Sequence, residues 1–296
     1  MARALVLLLA VVAVVAVAYG SVGRRDGDAT PTVVATQPAA AQGGQTPAGE
    51  TPVSQPAETP VTSSAPLTPE QLQQYKPNEL GQIPILEYHQ IGPNPEQFVR
   101  TPDQMRGDLQ WLYDHGFYVI NISEILADRI DVPLGKKPVV LTFDDSPAGQ
   151  FRLLRLDTGQ YAIDPNCAVG IMETFFAAHP DFGRGGLFVV LPNMVFDWTT
   201  VAAEPDQQGL DQMKVQWLVA NGYELSNHTR DHVSLGDLTN DQIMYQLAEA
   251  NIEINKLAPD APIRVVTLPF GIYPTGGDDT LLRGFDYNGQ HFEWEA

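Results

Sequence analysis

The sequence has few cysteines and few basic residues, and both shortages exclude classes of protein. Its single cysteine, Cys167, rules out an internal disulfide, so the fold cannot be a small scaffold held together by disulfide bonds. Only 17 lysine and arginine residues stand against 36 aspartate and glutamate residues, and the formal net charge is -19. This charge argues against nucleic acid or anionic lipid as the main partner. It is typical of a soluble domain that acts on a neutral or cationic ligand.

The N-terminus lacks charged residues over a long stretch. Residues 4–18 form an unbroken apolar run after Arg3, and Arg24 and Arg25 follow it. A signal-peptide core spans ~7–15 apolar residues and a membrane span needs about 20. We therefore predict that residues 1–23 are a signal peptide or a membrane anchor, although the two arginines go against the positive-inside tendency for an anchor. The prediction for the whole protein is extracytoplasmic, either secreted or anchored to the outer face of the cytoplasmic membrane through this segment alone.

Residues 24–77 contain one aromatic residue, Tyr75, and are rich in threonine, proline, alanine and glutamine. Such a composition cannot bury enough apolar surface to offset the conformational entropy of the chain. We predict a disordered linker here, followed by one folded domain at residues 78–296. The domain has roughly 220 residues, which is ample for a buried core.

Past residue 84, short apolar runs alternate with helical patterns. Thr-x-x-Gln capping boxes that begin at Thr101 and Thr239 predict the starts of two helices. Apolar runs of strand length are centred on Ile85, Val119, Val140, Val189, Leu225 and Val266. This alternation predicts an α/β fold with a parallel sheet, either open or closed into a barrel.

Two adjacent carboxylates, Asp144 and Asp145, come directly after a buried-type strand. In parallel α/β folds, functional groups collect at the carboxyl ends of the strands. Neighbouring side chains that leave a strand point in different directions, so one can bind a metal ion while the other remains free as a base. Taken alone, the pair is equally well explained as a solvated loop.

Histidines also follow predicted strands. The spacing of His228 and His232 places two imidazoles on the same side of a helical turn, which suits a single ion, although such pairs also occur on solvated loops. One aspartate and two histidines leave coordination positions open for water, which is the catalytic pattern of zinc. His89 lies at the end of the first strand. After the last strand, Pro269 and Phe270 begin a turn that exposes a backbone N–H, or that is simply a turn.

Together these segments resemble one family. Residues 142–146 (TFDDS) are similar to its T-F-D-D-G motif, and residues 227–232 (NHTRDH) match its N-H-[ST]-x-x-H motif. Residues 268–271 (LPFG) resemble the end of its R-x-P-[FY]-G motif. From about Pro84 onward the chain thus resembles the NodB-homology polysaccharide deacetylases, carbohydrate esterase family four. Residues 86–89 (LEYH) are similar to the start of the exopolysaccharide branch, which acts on poly-N-acetylglucosamine.

The resemblance implies a distorted (β/α) barrel of about seven strands. It implies that Asp145, His228 and His232 hold a divalent metal ion, usually zinc, and that Asp144 is the general base. Contacts with the substrate or its developing oxyanion are expected at Phe270, Pro269 and His89.

The implied function is a metal-dependent hydrolase that removes N-acetyl groups from an extracellular or cell-wall polysaccharide and releases acetate. The expected partner is an N-acetylglucosamine polymer, with no nucleic acid, and the expected oligomeric state is a monomer. Two alternatives remain: a catalytically silent carbohydrate-binding barrel, and an O-acetyl esterase on a plant-type glycan. Asp144 argues against the silent barrel, because a protein that only binds sugar has no need of a free base.

Three departures from the family pattern carry expectations of their own. Ser146 replaces a glycine, which is tolerable if the turn accepts negative φ. Thr267 stands where the family has an arginine that partners the base, so Asp144 is less firmly held unless Arg264 or another cation substitutes. A later leucine-x-histidine motif, which carries the catalytic acid, is not found before the chain stops at Ala296. We therefore expect a C-terminally truncated barrel that lacks its closing strand and that acid.

Overall fold

The computed structural model describes residues 33–34, 68–75, 81–199, 203–259, 261–275 and 279–296. The predicted signal peptide or anchor, 1–23, lies outside this part of the chain, as does most of the predicted linker, 24–77. Each helix that the structure describes is too short or too polar to cross a membrane.

Strands and helices alternate along the described chain. The strands are β1 (Val33–Val34), β2 (Ile85–Tyr88), β3 (Gln90–Ile91), β4 (Val99–Arg100), β5 (Phe117–Val119), β6 (Lys137–Phe143), β7 (Leu153–Arg155), β8 (Tyr161–Ile163), β9 (Leu187–Val190), β10 (Glu224–Asn227), β11 (Ile263–Val266), β12 (Gly284–Tyr287) and β13 (Gln290–Glu293). The α-helices are α1 (Pro69–Tyr75), α2 (Pro102–Asp114), α3 (Ile122–Leu126), α4 (Ala168–Ala178), α5 (Asp211–Ala220) and α6 (Asn240–Leu257).

Two short elements lie within the segment predicted to be a linker. Strand β1 pairs with β8, and α1 begins with a local capping box. In that box the Thr68 backbone N–H donates to the Gln71 side chain, and the Gln71 backbone N–H donates to the Thr68 hydroxyl. This local bonding accounts for a helical turn in a sequence of low apolar content.

The central sheet contains the six strands that the sequence predicts, and all its pairings are parallel. Its order is β11-β10-β9-β6-β2, and β5 pairs with the amino-terminal half of β6. The last five residues of β6, Val139–Phe143, are fully buried or nearly so. A central parallel strand is buried on both faces, which explains its near-continuous apolar sequence. The predicted α/β fold with a parallel sheet is confirmed.

The two predicted capping boxes are also confirmed. Thr101 and Gln104 exchange side-chain and backbone hydrogen bonds at the start of α2, and Thr239 and Gln242 do so at the start of α6. These signals are local, so tertiary packing does not override them.

The barrel is not closed within the described residues, as expected for a distorted and incomplete barrel, because edge strands β2 and β11 do not pair with each other. The outer edge of β11 is partly covered. The Glu295 backbone N–H donates to the Arg264 carbonyl at 2.8 Å, and the Val266 N–H donates to the Ala296 carbonyl at 2.8 Å. The preceding hairpin, β12–β13, turns at Asn288 and Gly289, which both have positive φ. An Asn-Gly pair is a strong hairpin signal that the sequence analysis did not use.

Candidate active site

The turn after β6 sends the two adjacent carboxylates in different directions. Asp145 and Ser146 both adopt positive φ, 71° and 46°. Such a conformation costs a non-glycine residue of order 1–3 kcal/mol and persists only where the surroundings impose it. Asp144 precedes the bend and stays tied to the sheet, because its backbone N–H donates to the Tyr88 carbonyl at 2.8 Å.

The condition under which Ser146 could replace the glycine without strain, a negative φ, is not met. The buried Ser146 hydroxyl offsets this strain through two hydrogen bonds, which a glycine could not make. It donates to the Met194 carbonyl at 3.2 Å and accepts from the Leu191 backbone N–H at 3.1 Å. The Ser146 carbonyl also accepts from the Phe196 N–H at 2.7 Å. Ser146 thus joins the turn to the loop at residues 191–198.

His228 and His232 lie on an irregular loop after β10, so the prediction of a helical turn is wrong. The loop bends because Thr229 and His232 adopt positive φ, 62° and 51°. Buried amide side chains hold this conformation. The Asn227 side chain accepts from the Thr229 N–H, and the Gln246 side chain accepts from the two backbone N–H groups of residues 230 and 231. The imidazoles meet through loop geometry, with ring centroids 4.9 Å apart.

Asp145, His228 and His232 converge on one point. Asp145 Oδ1 lies 3.3 Å from His228 Nε2 and 3.1 Å from His232 Nε2. One ligand atom from each residue lies within 4.8 Å of the others. His228 Nδ1 is 2.7 Å from the Thr267 carbonyl oxygen, so Nδ1 carries a proton and donates, which turns Nε2 towards Asp145.

This donor set fits a divalent ion. Asp145 Oδ1 is buried and makes no hydrogen bond to the described residues, although two imidazole nitrogens lie close to it. A buried carboxylate oxygen without a donor is costly, and an ion between the three ligands would satisfy it. Burial raises the pKa of Asp145, but the contacts with His228 and His232 outweigh burial and hold that pKa well below its usual range.

A second cluster lies on the other side of the carboxylate pair. Asp144 is only 6% exposed, and its Oδ1 has no hydrogen-bond partner among the described residues. Burial, and then the nearby carboxylates of Glu87 and Asp145, raise the pKa of Asp144 to about 8. Glu87, His89 and Asp144 each offer a ligand atom within 4.8 Å of the other two. His89 also reaches towards the first cluster, with its Nε2 4.0 Å from Asp145 Oδ2.

Arg264 does not substitute for the family's missing arginine. Arg264 forms an ion pair with Glu295 at 2.7 Å, at the outer edge of β11 that faces away from β10. In the described part of the chain, burial and two carboxylates, Glu87 and Asp145, shift the pKa of Asp144, and all of them raise it. Thr267, at the position of that arginine, shares a 2.8 Å hydrogen bond with the Ser226 hydroxyl.

Two half-exposed aromatic rings flank the carboxylate pair. Pro269 is buried and begins a short 3-10 turn after β11, in which Phe270 adopts a φ of 60°. The Phe270 ring lies 4.8 Å from the His232 ring. On the other side, the Phe98 ring lies 5.0 Å from the His89 ring. The structure therefore brings every residue that the sequence nominated to one edge of the sheet.

Sequence analysis missed Gln150, which ties the two halves of the site together. Its buried side-chain amide donates to the His89 carbonyl at 2.6 Å and to the Asp144 carbonyl. Nothing in the surrounding sequence distinguishes this glutamine from a surface residue. Phe98 was also missed, since it belongs to no recognised motif. Glu87 was missed although it lies within the LEYH segment at residues 86–89.

Comparison with known proteins supplies an independent view of these residues. The model of the polysaccharide deacetylase family matches residues 131–280. A chitooligosaccharide deacetylase of Sinorhizobium fredii is 34% identical over 67 residues, which are 23% of this chain and 30% of that protein. The alignment thus spans less than a third of the length of this curated relative.

Two solved structures are similar at low sequence identity. A deacetylase of Streptococcus pyogenes, PplD in complex with acetate, is 20% identical with a TM-score of 0.47, over 67% of this chain and 77% of that chain. IcaB from Ammonifex degensii is 16% identical with a TM-score of 0.45, over 70% of this chain and 76% of that chain.

The family match includes Asp144 and Asp145, both histidines of the loop after β10, and Pro269 and Phe270, but not Glu87, His89 or Phe98. It extends over 150 of the 296 residues, which is half of the chain. It contains the turn after β6, the histidine loop after β10 and the turn after β11. This chain belongs to the polysaccharide deacetylase family.

Proposed function

We propose that this protein is a metal-dependent hydrolase that removes N-acetyl groups from an extracellular or cell-wall polysaccharide and releases acetate. One observation carries the proposal: Asp145, His228 and His232 converge beside a buried carboxylate, Asp144, that has no hydrogen-bond partner for its Oδ1 among the described residues. A carbohydrate-binding protein without catalysis would gain nothing from that desolvated carboxylate.

Asp145, His228 and His232 would hold the ion, which we propose to be zinc because one oxygen and two nitrogen ligands suit it. A divalent ion held there supplies Lewis acidity, which lowers the pKa of a bound water from about 16 to about 7 and polarises the acetyl carbonyl. The hydrogen bond between His228 Nδ1 and the Thr267 carbonyl orients the imidazole for this role.

Asp144 acts as the general base. Its Oδ1 accepts the proton of the attacking water, whose oxygen forms the new bond to the acetyl carbon. A carboxylate whose pKa is raised to about 8 by burial and by Glu87 and Asp145 is a stronger base than one in water. An ion held by Asp145, His228 and His232 would lower this pKa.

His89 is the group best placed to protonate the leaving amine. Breaking the C–N bond requires a proton on the sugar nitrogen, and His89 is the third imidazole at this edge of the sheet. Its Nδ1 lies 3.3 Å from Glu87 Oε1, a contact that orients the ring. The Phe270 backbone N–H is the proposed donor to the developing oxyanion.

The substrate that we propose is a polymer of N-acetylglucosamine. Phe98, beside His89, and Phe270, beside His232, present half-exposed rings on which sugar faces can pack. The net charge of -19 favours a neutral or cationic polymer. The printed name of the Sinorhizobium relative, a chitooligosaccharide deacetylase, supports the same class of sugar. We further propose a monomer, exported or anchored through residues 1–23.

Acetate release measured on a panel of glycans tests the proposal. The panel contains chitooligosaccharides, poly-N-acetylglucosamine, peptidoglycan and acetylated xylan, each with metal-free protein and with one equivalent of Zn²⁺. We expect zinc-dependent release from an N-acetylated glycan. Release from xylan alone would identify an O-acetyl esterase, and sugar binding without release would identify a silent barrel.

A further inference from the structure

We propose that Glu87, His89 and Asp144 form a second, weaker site for a divalent cation, and that occupation of this site inhibits the deacetylase. The inhibitory part rests on the function proposed above, because it takes Asp144 as the base. The binding part rests on geometry alone.

The three residues come together through the pairing of two neighbouring strands. Strands β2 and β6 are parallel, with Tyr88 opposite Phe143, so the chain positions that follow them lie side by side. Glu87 and His89 are two residues apart and their side chains share a face, with Glu87 Oε1 3.3 Å from His89 Nδ1. Asp144 completes the set, and one ligand atom from each residue lies within 4.8 Å of the others.

A second observation points to a ligand for this cluster. Asp144 Oδ1 is buried without a donor in the described part of the chain, although the residue is only 6% exposed. A buried carboxylate oxygen in that condition binds a proton or a cation. None of the basic side chains that the structure describes forms an ion pair with Asp144.

The backbone that carries two of the ligands is already fixed. Gln150 donates from one amide nitrogen to the carbonyls of both His89 and Asp144. Little ordering is therefore needed at these two residues when an ion binds. Glu87 differs, because its side chain is 58% exposed and must lose rotamer freedom. This cost makes the second site weaker than the first.

Occupation of the second site removes the groups that catalysis uses. A carboxylate oxygen that ligates an ion cannot accept the proton of the attacking water, and an imidazole nitrogen that ligates an ion cannot carry a proton to the amine. The first set of ligands shares no residue with the second, so one ion does not have to displace the other. The expected result is activation by the first equivalent of metal and inhibition by excess.

The test combines equilibrium dialysis of metal-free protein against Zn²⁺ with acetate release at each zinc concentration. We expect one tightly bound ion with full activity, then a second ion and at least a tenfold loss of activity, since general-base catalysis contributes ~10²–10⁴-fold. Glu87→Gln should bind the first ion and lose both the second ion and the inhibition. Its activity is normalised to its own value at one equivalent of zinc.

Glu293→Gln is the matched control. Glu293 is an exposed carboxylate that lies 3.9 Å from another imidazole, His291, on the β12–β13 hairpin. This variant should keep both the second ion and the inhibition. Adventitious surface binding would instead be reduced equally by both substitutions, which would overturn the proposal.

Two further outcomes are decisive. A wild-type protein that binds one ion and is not inhibited by excess zinc would overturn the second site and leave the proposed function standing. In that case the Glu87 carboxylate only orients His89. Two bound ions without acetate release at any zinc concentration would contradict the proposed function and the inhibitory role, while supporting the binding site.

Discussion

Asp144 and Asp145 are adjacent, both are largely buried, and their surroundings affect them in opposite ways. Asp145 faces the histidine side of the site, formed with His228 and His232, which holds its pKa well below the usual range against the effect of burial. Asp144 faces the carboxylate side, formed with Glu87 and His89, where burial and neighbouring negative charge raise its pKa to about 8. Two identical side chains can therefore serve as a ligand and as a base because their neighbours differ.

The largest expected effect comes from breaking the histidine side. His232→Ala should lose metal and activity together, because it removes one of three ligands. Loss of groups that merely support ligands costs 10–100-fold in affinity, so loss of a ligand should cost at least about 100-fold. Equilibrium dialysis and acetate release measure the two effects. His291→Ala, on the exposed hairpin, is the control and should change neither. Retention of metal by His232→Ala would remove this residue from the site.

Breaking the carboxylate side should separate metal binding from turnover. Asp144→Asn keeps the shape of the side chain but removes the base, so turnover should fall by ~10²–10⁴-fold. The first equivalent of zinc should still bind, because Asp145 remains. Zinc content and kcat are measured on the same preparation. Release of the tight ion by Asp144→Asn would mean that the two aspartates exchange roles.

A third prediction concerns a buried lysine that supports the turn at Asp145. Lys214 is fully buried, and its Nζ donates to the Phe196 carbonyl at 2.7 Å; the Phe196 N–H in turn donates to Ser146, next to Asp145. Burial lowers the pKa of Lys214 from 10.5 to about 7. Between these values the unfolded chain binds more protons than the folded protein, so this lysine makes the free energy of unfolding rise with pH.

The size of that rise is up to about 1.4 kcal/mol per pH unit. The Lys214→Met variant lacks this contribution. In the zinc-loaded variant, the free energy of unfolding should therefore rise less steeply between pH 7 and pH 9 than in wild type. Urea unfolding at several pH values measures the difference. Equal slopes in the two proteins would show that Lys214 does not titrate in this range.

The smallest expected effect comes from the aromatic rim. Phe98 packs against His89 on the carboxylate side and is half exposed. Aromatic packing is worth ~0.5–1.5 kcal/mol, so Phe98→Ala should raise KM for a polymeric substrate roughly 2- to 12-fold. The value of kcat should change much less. Trp111→Ala, an equally exposed ring on α2, is the control. A large fall in kcat with unchanged KM would instead mean that Phe98 positions His89 for catalysis.

The sequence alone predicted the elements whose signals are local. The apolar runs at the six strands and the capping boxes at Thr101 and Thr239 depend on neighbouring residues, and the structure confirms them. The Asn288–Gly289 turn was equally readable and was overlooked. The candidate site residues were nominated by motif and by their positions after strands, and the structure places them at one edge of the sheet.

The geometry within that edge was decided by tertiary structure. The histidine pair meets through left-handed loop residues such as Thr229, which an H-x3-H spacing does not reveal. Gln150 acquires its role only because β2 and β6 are neighbours, more than fifty residues apart in sequence. The same holds for the two aspartates. They are adjacent in the sequence, but burial and then Glu87 raise the pKa of Asp144, whereas His228 and His232 outweigh burial and lower the pKa of Asp145. Electrostatic interactions depend on distance through space. The distances from the two aspartates to Glu87, His228 and His232 are set only when these separate segments pack together.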